Sequence, residues 1–222
     1  MSSLLLLRHG QAAFGEVNYD QLTALGVAQA QATGAFFRER GQQFHEILSG
    51  PKLRHIDTTC GVVRRMPPGT VWKLEPALEE MADGHEILAA AQAHFRVVLT
   101  APHISRHTQL QHYDKMLQAW GEGRATMGNT PTAQSFRQNV GIWLRAVMSH
   151  PESGRRILAI TSAGVIGAVM CEVLGTNTSR MMDYVRVLRN TSLTEIVFSQ
   201  GRASLMSFNS VDHLREELTS AI

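Results

Sequence analysis

The sequence predicts an α/β protein with a mostly parallel sheet flanked by helices. Three observations carry this prediction. Short apolar runs at residues 3–7, 45–49, 71–74 and 156–161 have the length of strands, and the first and last are continuously apolar, as strands buried on both faces are. Stretches with helical spacing follow three of them, and strands alternating with helices pair in parallel through crossovers. Two further strand-like runs, 193–198 and 203–208, lie near the end of the chain.

The first strand stops at Arg8. Thr23 is an N-cap residue type, and Leu25, Ala28, Ala32, Ala35 and Phe36 recur behind it at helical spacing. Gly50-Pro51 turns the chain after the second strand, and residues 54–63 suit a short helix. The stretch from 81 to 150 has no strand-like run, carries His85, His94, His103, His107, His112 and His150, and reads as helices. It is expected to be a helical insertion over the active site within a single domain, 1–222, with Met81, Met116, Trp120 and Met127 packing it. A helix at 164–174 follows the fourth strand, and Gln200-Gly201 joins the last two strands.

Composition narrows the function classes. With 44% hydrophobic and 18% charged residues, the chain is an ordinary globular one and not a disordered one. A net charge of +2, with Arg64-Arg65 and Arg155-Arg156 as isolated doublets, offers no basic stripe for nucleic acid. The Leu4 to Leu7 run lacks a basic flank and is far shorter than the ~20 apolar residues of a membrane span. The two cysteines, Cys60 and Cys171, read as buried free thiols of a cytoplasmic protein.

In an open α/β sheet, ligands bind outside the carboxyl ends of the strands, and Arg8, His9 and Gly10 stand where the first strand ends. An imidazole accepts a phosphoryl group when one ring nitrogen is held and the other is free. A neighbouring guanidinium forks onto phosphate oxygens, and a glycine lets backbone approach the ligand.

The ordered set Leu7-Arg8-His9-Gly10-Gln11, Leu22-Thr23-Ala24-Leu25-Gly26 with Gln29-Ala30, and Ser49-Gly50-Pro51-Lys52-Leu53-Arg54 with Asp57-Thr58 resembles the histidine phosphatase superfamily, the phosphoglycerate mutase-like phosphatases. Leu78-Glu79-Glu80, Asn190-Thr191-Ser192, Phe208-Asn209 and His213-Leu214 extend the resemblance over nearly the whole chain. It implies phosphomonoester hydrolysis on a small phosphorylated substrate, with His9 phosphorylated on nitrogen, Arg8 and Arg54 clamping the phosphoryl oxygens beside Gly10 and Gln11, and Glu80 as general acid. Neither metal nor other cofactor is implied. Glu79 adjoins Glu80, and alternation along an extended segment points only one of them inward; the family spacing favours Glu80.

One departure stands out. The second active-site histidine of the family follows the fourth strand, where this chain reads Ile160-Thr161-Ser162-Ala163-Gly164. Ser162 can hydrogen-bond a phosphate oxygen at a helix N-terminus but supplies no cationic imidazole. That weakens the expectation of catalysis and keeps open an alternative: a catalytically weak or inactive member that binds a phosphorylated ligand or a protein partner. His85 is either an exposed loop histidine or a replacement for the missing imidazole. A serine nucleophile is disfavoured because Ile160, not glycine, lies two residues before Ser162. His103, His107, His112 and Asp114 read as a polar helix face, since no third zinc ligand accompanies the histidine pair at one-turn spacing. Oligomeric state is not legible.

Overall fold

The computed structural model describes residues 1–13, 20–101, 103–150, 152–199 and 201–221. Among them are six strands in one sheet: β1 (Ser2–Arg8), β2 (Glu46–Ser49), β3 (Lys73–Leu74), β4 (Arg156–Thr161), β5 (Leu193–Ser199) and β6 (Arg202–Ser210), in the order β3-β2-β4-β1-β5-β6. The pairs β2–β3, β2–β4 and β1–β4 are parallel, whereas β5 runs antiparallel to both β1 and β6. The α/β, mostly parallel architecture expected from the sequence is therefore the one found. Gln200, expected in the β5–β6 turn, lies outside the described residues.

The parallel strands are apolar throughout because both faces are covered. Leu7, Leu158 and Ile160 turn to one side, where helices α1 (Ala24–Glu39) and α2 (Leu53–Val63) bury Ala30, Phe37 and Val62 against them. Leu4, Leu6, Ile157 and Ala159 turn to the other side and meet α6 (Ala163–Leu174), which is buried almost all round. Helices α3 (Gly84–Phe95), α4 (Arg106–Gly121), α5 (Ala133–Met148) and the short α7 (Met181–Val185) complete this second side. The described residues between 81 and 150 thus form helices and connecting loops with no strand, as expected, and Met81, Met116, Trp120 and Met127 are buried among them.

Two local expectations are corrected. The buried face of α1 is Gly26, Gln29, Ala30, Thr33, Gly34 and Phe37, not Leu25, Ala28, Ala32, Ala35 and Phe36. Close approach decides this, because small residues let the helix backbone sit against its neighbours. A Cβ on Gly34 would lie 2.2 Å from the Val62 carbonyl oxygen, and one on Gly26 would lie 2.2 Å from that of Gln11. Strand β3 pairs only through Lys73 and Leu74, and Val71 is 81% exposed, since only a short edge of β2 is available to it. No helix among the described residues is long and apolar enough to cross a membrane.

The topology leaves one opening in the sheet. The chain leaving β1 travels over α1 toward β2, whereas the chain leaving β4 proceeds toward β5 on the other side of β1. The two connections leave adjacent strands onto opposite faces of the sheet, α1 on one and α6 on the other, and so leave a crevice at the carboxyl ends, between His9 and Ser162.

Candidate active site

The described site residues collect at that crevice because parallel register aligns the strand ends. Arg8 pairs with Thr161 and Ser49 with Ile160, so the segments after β1, β2 and β4 emerge side by side. The His9 N–H donates to the Thr161 carbonyl at 2.9 Å, and the Gly50 N–H to that of Ile160 at 2.9 Å. The turn at Gly10 is held by its N–H donating to Thr58 Oγ1 at 3.0 Å, while Thr58 donates to the Arg54 carbonyl at 2.6 Å. This short chain of bonds ties the loop after β1 to the first turn of α2.

His9 is buried, and its Nδ1–H donates to the Gly10 carbonyl at 2.8 Å. With that proton committed, Nε2 carries the lone pair. Burial, then the guanidiniums of Arg54 and Arg8 and the ring of His55, hold the imidazole pKa well below its ordinary 6.5; the Gly10 carbonyl opposes them weakly. A neutral, nucleophile-competent ring at neutral pH follows.

Both arginines are nearly inaccessible to solvent. Arg8 Nη1 donates to the Leu188 carbonyl at 2.5 Å. Arg54 Nη1 meets Asp20 Oδ1 at 2.6 Å and Asp83 Oδ1 at 3.2 Å, and Lys52 Nζ reaches Asp83 Oδ2 at 3.0 Å. Asp20 also caps α2 by accepting the Leu53 N–H at 2.8 Å. Gln11 ties the loop after β1 to α1: its N–H donates to Gln29 Oε1 at 2.8 Å, and its side-chain oxygen accepts from the Thr23 hydroxyl at 2.9 Å.

Of the two neighbouring acids, Glu79 is exposed and pairs with Lys52 at 3.4 Å. Glu80 turns inward: Oε2 accepts the Gly164 N–H at 3.1 Å, and Oε1 the Met81 N–H at 3.1 Å. Burial raises its pKa above the ordinary 4.5 against the opposing pull of Arg54, these two amides and Arg8. A Cβ on residue 164 would lie 2.1 Å from Glu80 Oε1, so glycine there makes room for the carboxyl. Glu80 lines a cavity of about 590 Å³ with Lys52, Met81, Asn129, Phe136 and Asn139. The 81–150 segment supplies much of its wall.

Ser162 is the N-cap residue of α6, and its Oγ lies 2.6 Å from Nε2 of His55, a fully buried histidine whose ring centroid is 5.7 Å from that of His9. His55 is a site residue that sequence reasoning missed. Its signal was there: His55, Thr58, Thr59 and Val62 recur at helical spacing along the buried face of α2. His85 is exposed in the first turn of α3, with none of the contacts to His9 or Ser162 that His55 makes. Asp20, Asp83 and Lys52 were missed too, because two carboxylates and an ammonium converging from three segments share no sequence spacing.

Of the distant histidines, His107 bonds Gln111 and His112 bonds the Thr108 carbonyl along α4, and Asp114 pairs with Arg186 at 2.7 Å. Among the described residues, no group of three histidine, cysteine or acidic side chains is arranged to hold a metal ion. Both thiols are unpaired, with Cys171 buried and Cys60 partly exposed rather than buried.

Solved structures share this fold. A mutant phosphoserine phosphatase from Entamoeba histolytica, in complex with phosphoserine, superposes with a TM-score of 0.70 at 18% identity, over 97% of this chain and 100% of that one. The α-ribazole phosphatase of Shigella flexneri gives 0.64 at 22% identity, over 94% and 96% of the two chains. A mycobacterial glucosyl-3-phosphoglycerate phosphatase gives 0.64 at 22% identity, over 94% and 98%. No curated protein sequence matches the chain. The family comparison does match, over residues 4–94 and 99–211, and with nearly the whole chain accounted for, this protein belongs to the histidine phosphatase superfamily (branch 1).

Proposed function

We propose that the protein is a cytoplasmic phosphomonoester hydrolase that works through a phosphohistidine on His9, in a single domain, 1–222, whose helical insertion at 81–150 selects a small phosphorylated substrate. The observation that carries this reading is the convergence on one imidazole: a buried, neutral His9 with Nδ1 committed to Gly10, two guanidiniums close enough to depress its pKa, and an inward carboxyl whose pKa is raised. Phosphatases of the same fold that act on or bind small phosphorylated compounds support the substrate class.

The chemistry is a double displacement. His9 Nε2 attacks phosphorus in line, a P–N bond forms as the P–O bond to the alcohol breaks, and Glu80 gives its proton to the departing oxygen. Arg8 and Arg54 hold the phosphoryl oxygens, where charge redistributes most in the transition state, with Gly10, Gln11 and Ser162 around them. Water then attacks the phosphohistidine, its proton passes to the Glu80 carboxylate, and the P–N bond breaks to release phosphate. A second reading, a weak or inactive member that binds a phosphorylated ligand or protein, is favoured by the serine at 162 and by the two carboxylates already on Arg54 Nη1.

Turnover of p-nitrophenyl phosphate separates the two. An aryl leaving group departs with little help, so the core site is read without bias from the substrate cavity. Wild type is expected to turn over and to yield, on acid quench, an acid-labile, base-stable phosphoryl adduct. His9→Ala is expected to lose roughly 10³-fold or more in rate, since the covalent route is gone. Wild type that binds phosphate without turnover would decide for the binder.

A further inference from the structure

We propose that His55 is a positioning residue for Ser162: its Nε2–H donates to Ser162 Oγ and so leaves the serine proton to point at the phosphoryl oxygens beside His9. This rests on the phosphate-site reading above and extends it to a residue outside the ordered motif positions.

The argument starts from proton counting. His55 is fully buried, and burial, then the nearby Arg54 and Lys52 charges, press its pKa well below the ordinary value. The ring is therefore neutral and carries one proton. Nε2 faces Ser162 Oγ at 2.6 Å, whereas Nδ1 is buried with no hydrogen-bond partner among the described residues. Nδ1 packs against Gly50, where a Cβ would lie 2.2 Å from it, and the neighbouring Leu78 carbonyl already accepts from the Thr161 hydroxyl at 2.7 Å. A proton on Nδ1 would be an orphaned buried donor, which folded proteins avoid more strictly than an under-used acceptor. The proton belongs on Nε2.

The consequence falls on the serine. A hydroxyl that accepts from His55 keeps its own proton for another partner, and the Ser162 side chain caps no backbone amide of α6. Its position is the N-terminus of that helix, whose amides favour an anion at the same place. His55 is 5.7 Å, ring to ring, from His9. A buried imidazole and an aligned hydroxyl thus stand beside the nucleophile, with the imidazole acting through the serine rather than touching the phosphate.

The test uses the full chain and two readouts. In wild type, ¹⁵N-resolved NMR of labelled histidine is expected to show His55 neutral and protonated on Nε2; an Nδ1–H tautomer or a charged ring overturns the proposal. In p-nitrophenyl phosphate turnover, His55→Leu and Ser162→Ala are each expected to lower kcat by about 10- to 100-fold, the worth of one hydrogen bond to a charged group, with KM little moved. The double variant is expected to match the worse single variant within about threefold, and His55→Gln, which keeps an amide donor, to recover most of the loss. Additive losses, or a glutamine no better than leucine, overturn it. Orthovanadate affinity of the same four variants is expected to follow the same non-additive pattern, with independence of the two losses counting against the relay. If wild type shows no turnover, the phosphatase reading fails, and the tautomer and the orthovanadate series still decide the role of His55.

Discussion

At the residue scale, the fold moves two ordinary pKa values toward each other. His9 is pressed below 6.5 and Glu80 is lifted above 4.5, both chiefly by burial. The proposed mechanism needs neutral His9 and protonated Glu80. Rate should therefore rise with pH as His9 loses its proton and fall with pH as Glu80 loses its own, giving an optimum on the acid side of neutral. Glu80→Gln should remove the falling limb for an aryl phosphate and cut turnover of an alkyl phosphate by about 10²–10⁴-fold, measured as kcat across pH. Gly164→Ala tests the same carboxyl from the other side. The new methyl meets the mobile end of Glu80 and the Met81 sulfur, so the fold should survive while alkyl phosphate turnover drops toward that of Glu80→Gln. Unchanged turnover in Gly164→Ala would show that the carboxyl is not held where the amide bond puts it.

At the element scale, the loop after β1 has its shape because two helices on one face of the sheet grip it. Helix α1 approaches through Gly26, and α2 through Thr58, whose hydroxyl accepts the Gly10 N–H and donates to Arg54. Thr58 is fully buried, so removing its hydroxyl strands a backbone donor where water does not reach. Thr58→Val, which keeps the volume, should cost about 1–3 kcal/mol in urea unfolding and lower turnover by loosening the His9 turn; Thr58→Ser should be nearly neutral. Equal stability of the valine and serine variants would remove Thr58 from this role.

At the scale of the whole molecule, the C-terminal tail is tied to the same centre. Gln29 Nε2 donates to the Leu218 carbonyl and to Ser220 Oγ, both at 2.8 Å, while the Asn190 N–H donates to the Ser220 carbonyl at 2.9 Å. Upstream of these contacts, His213 lies 3.0 Å from Thr33 Oγ1 on α1, against the Phe36 ring, and burial lowers its pKa to about 4. His9 and His55 are depressed as well, so the unfolded chain takes up protons that the folded chain refuses. Stability is then full above the ordinary histidine value of 6.5, is lost as pH falls below it, and for His213 levels off below about 4. Urea midpoints of His213→Gln should fall less steeply than those of wild type between these limits. Parallel curves would mean that the tail histidine is as easily protonated in the folded chain as in the unfolded one.

The amino-acid sequence by itself determined the alternation of strands and helices, the strand-end position of Arg8, His9 and Gly10, and the family, because apolar runs, caps and ordered motifs are local and survive without coordinates. It also singled out Glu80 over Glu79 as the acid to turn inward. The buried face of α1 was misread by one residue, since glycines chosen for close approach leave no hydrophobic signal. Only the tertiary structure brought His55 to Ser162, and Asp20 and Asp83 to Arg54. Those contacts join segments 29 to 107 residues apart, and the register of parallel strands, which no local pattern encodes, decides which side chains meet where the strands end.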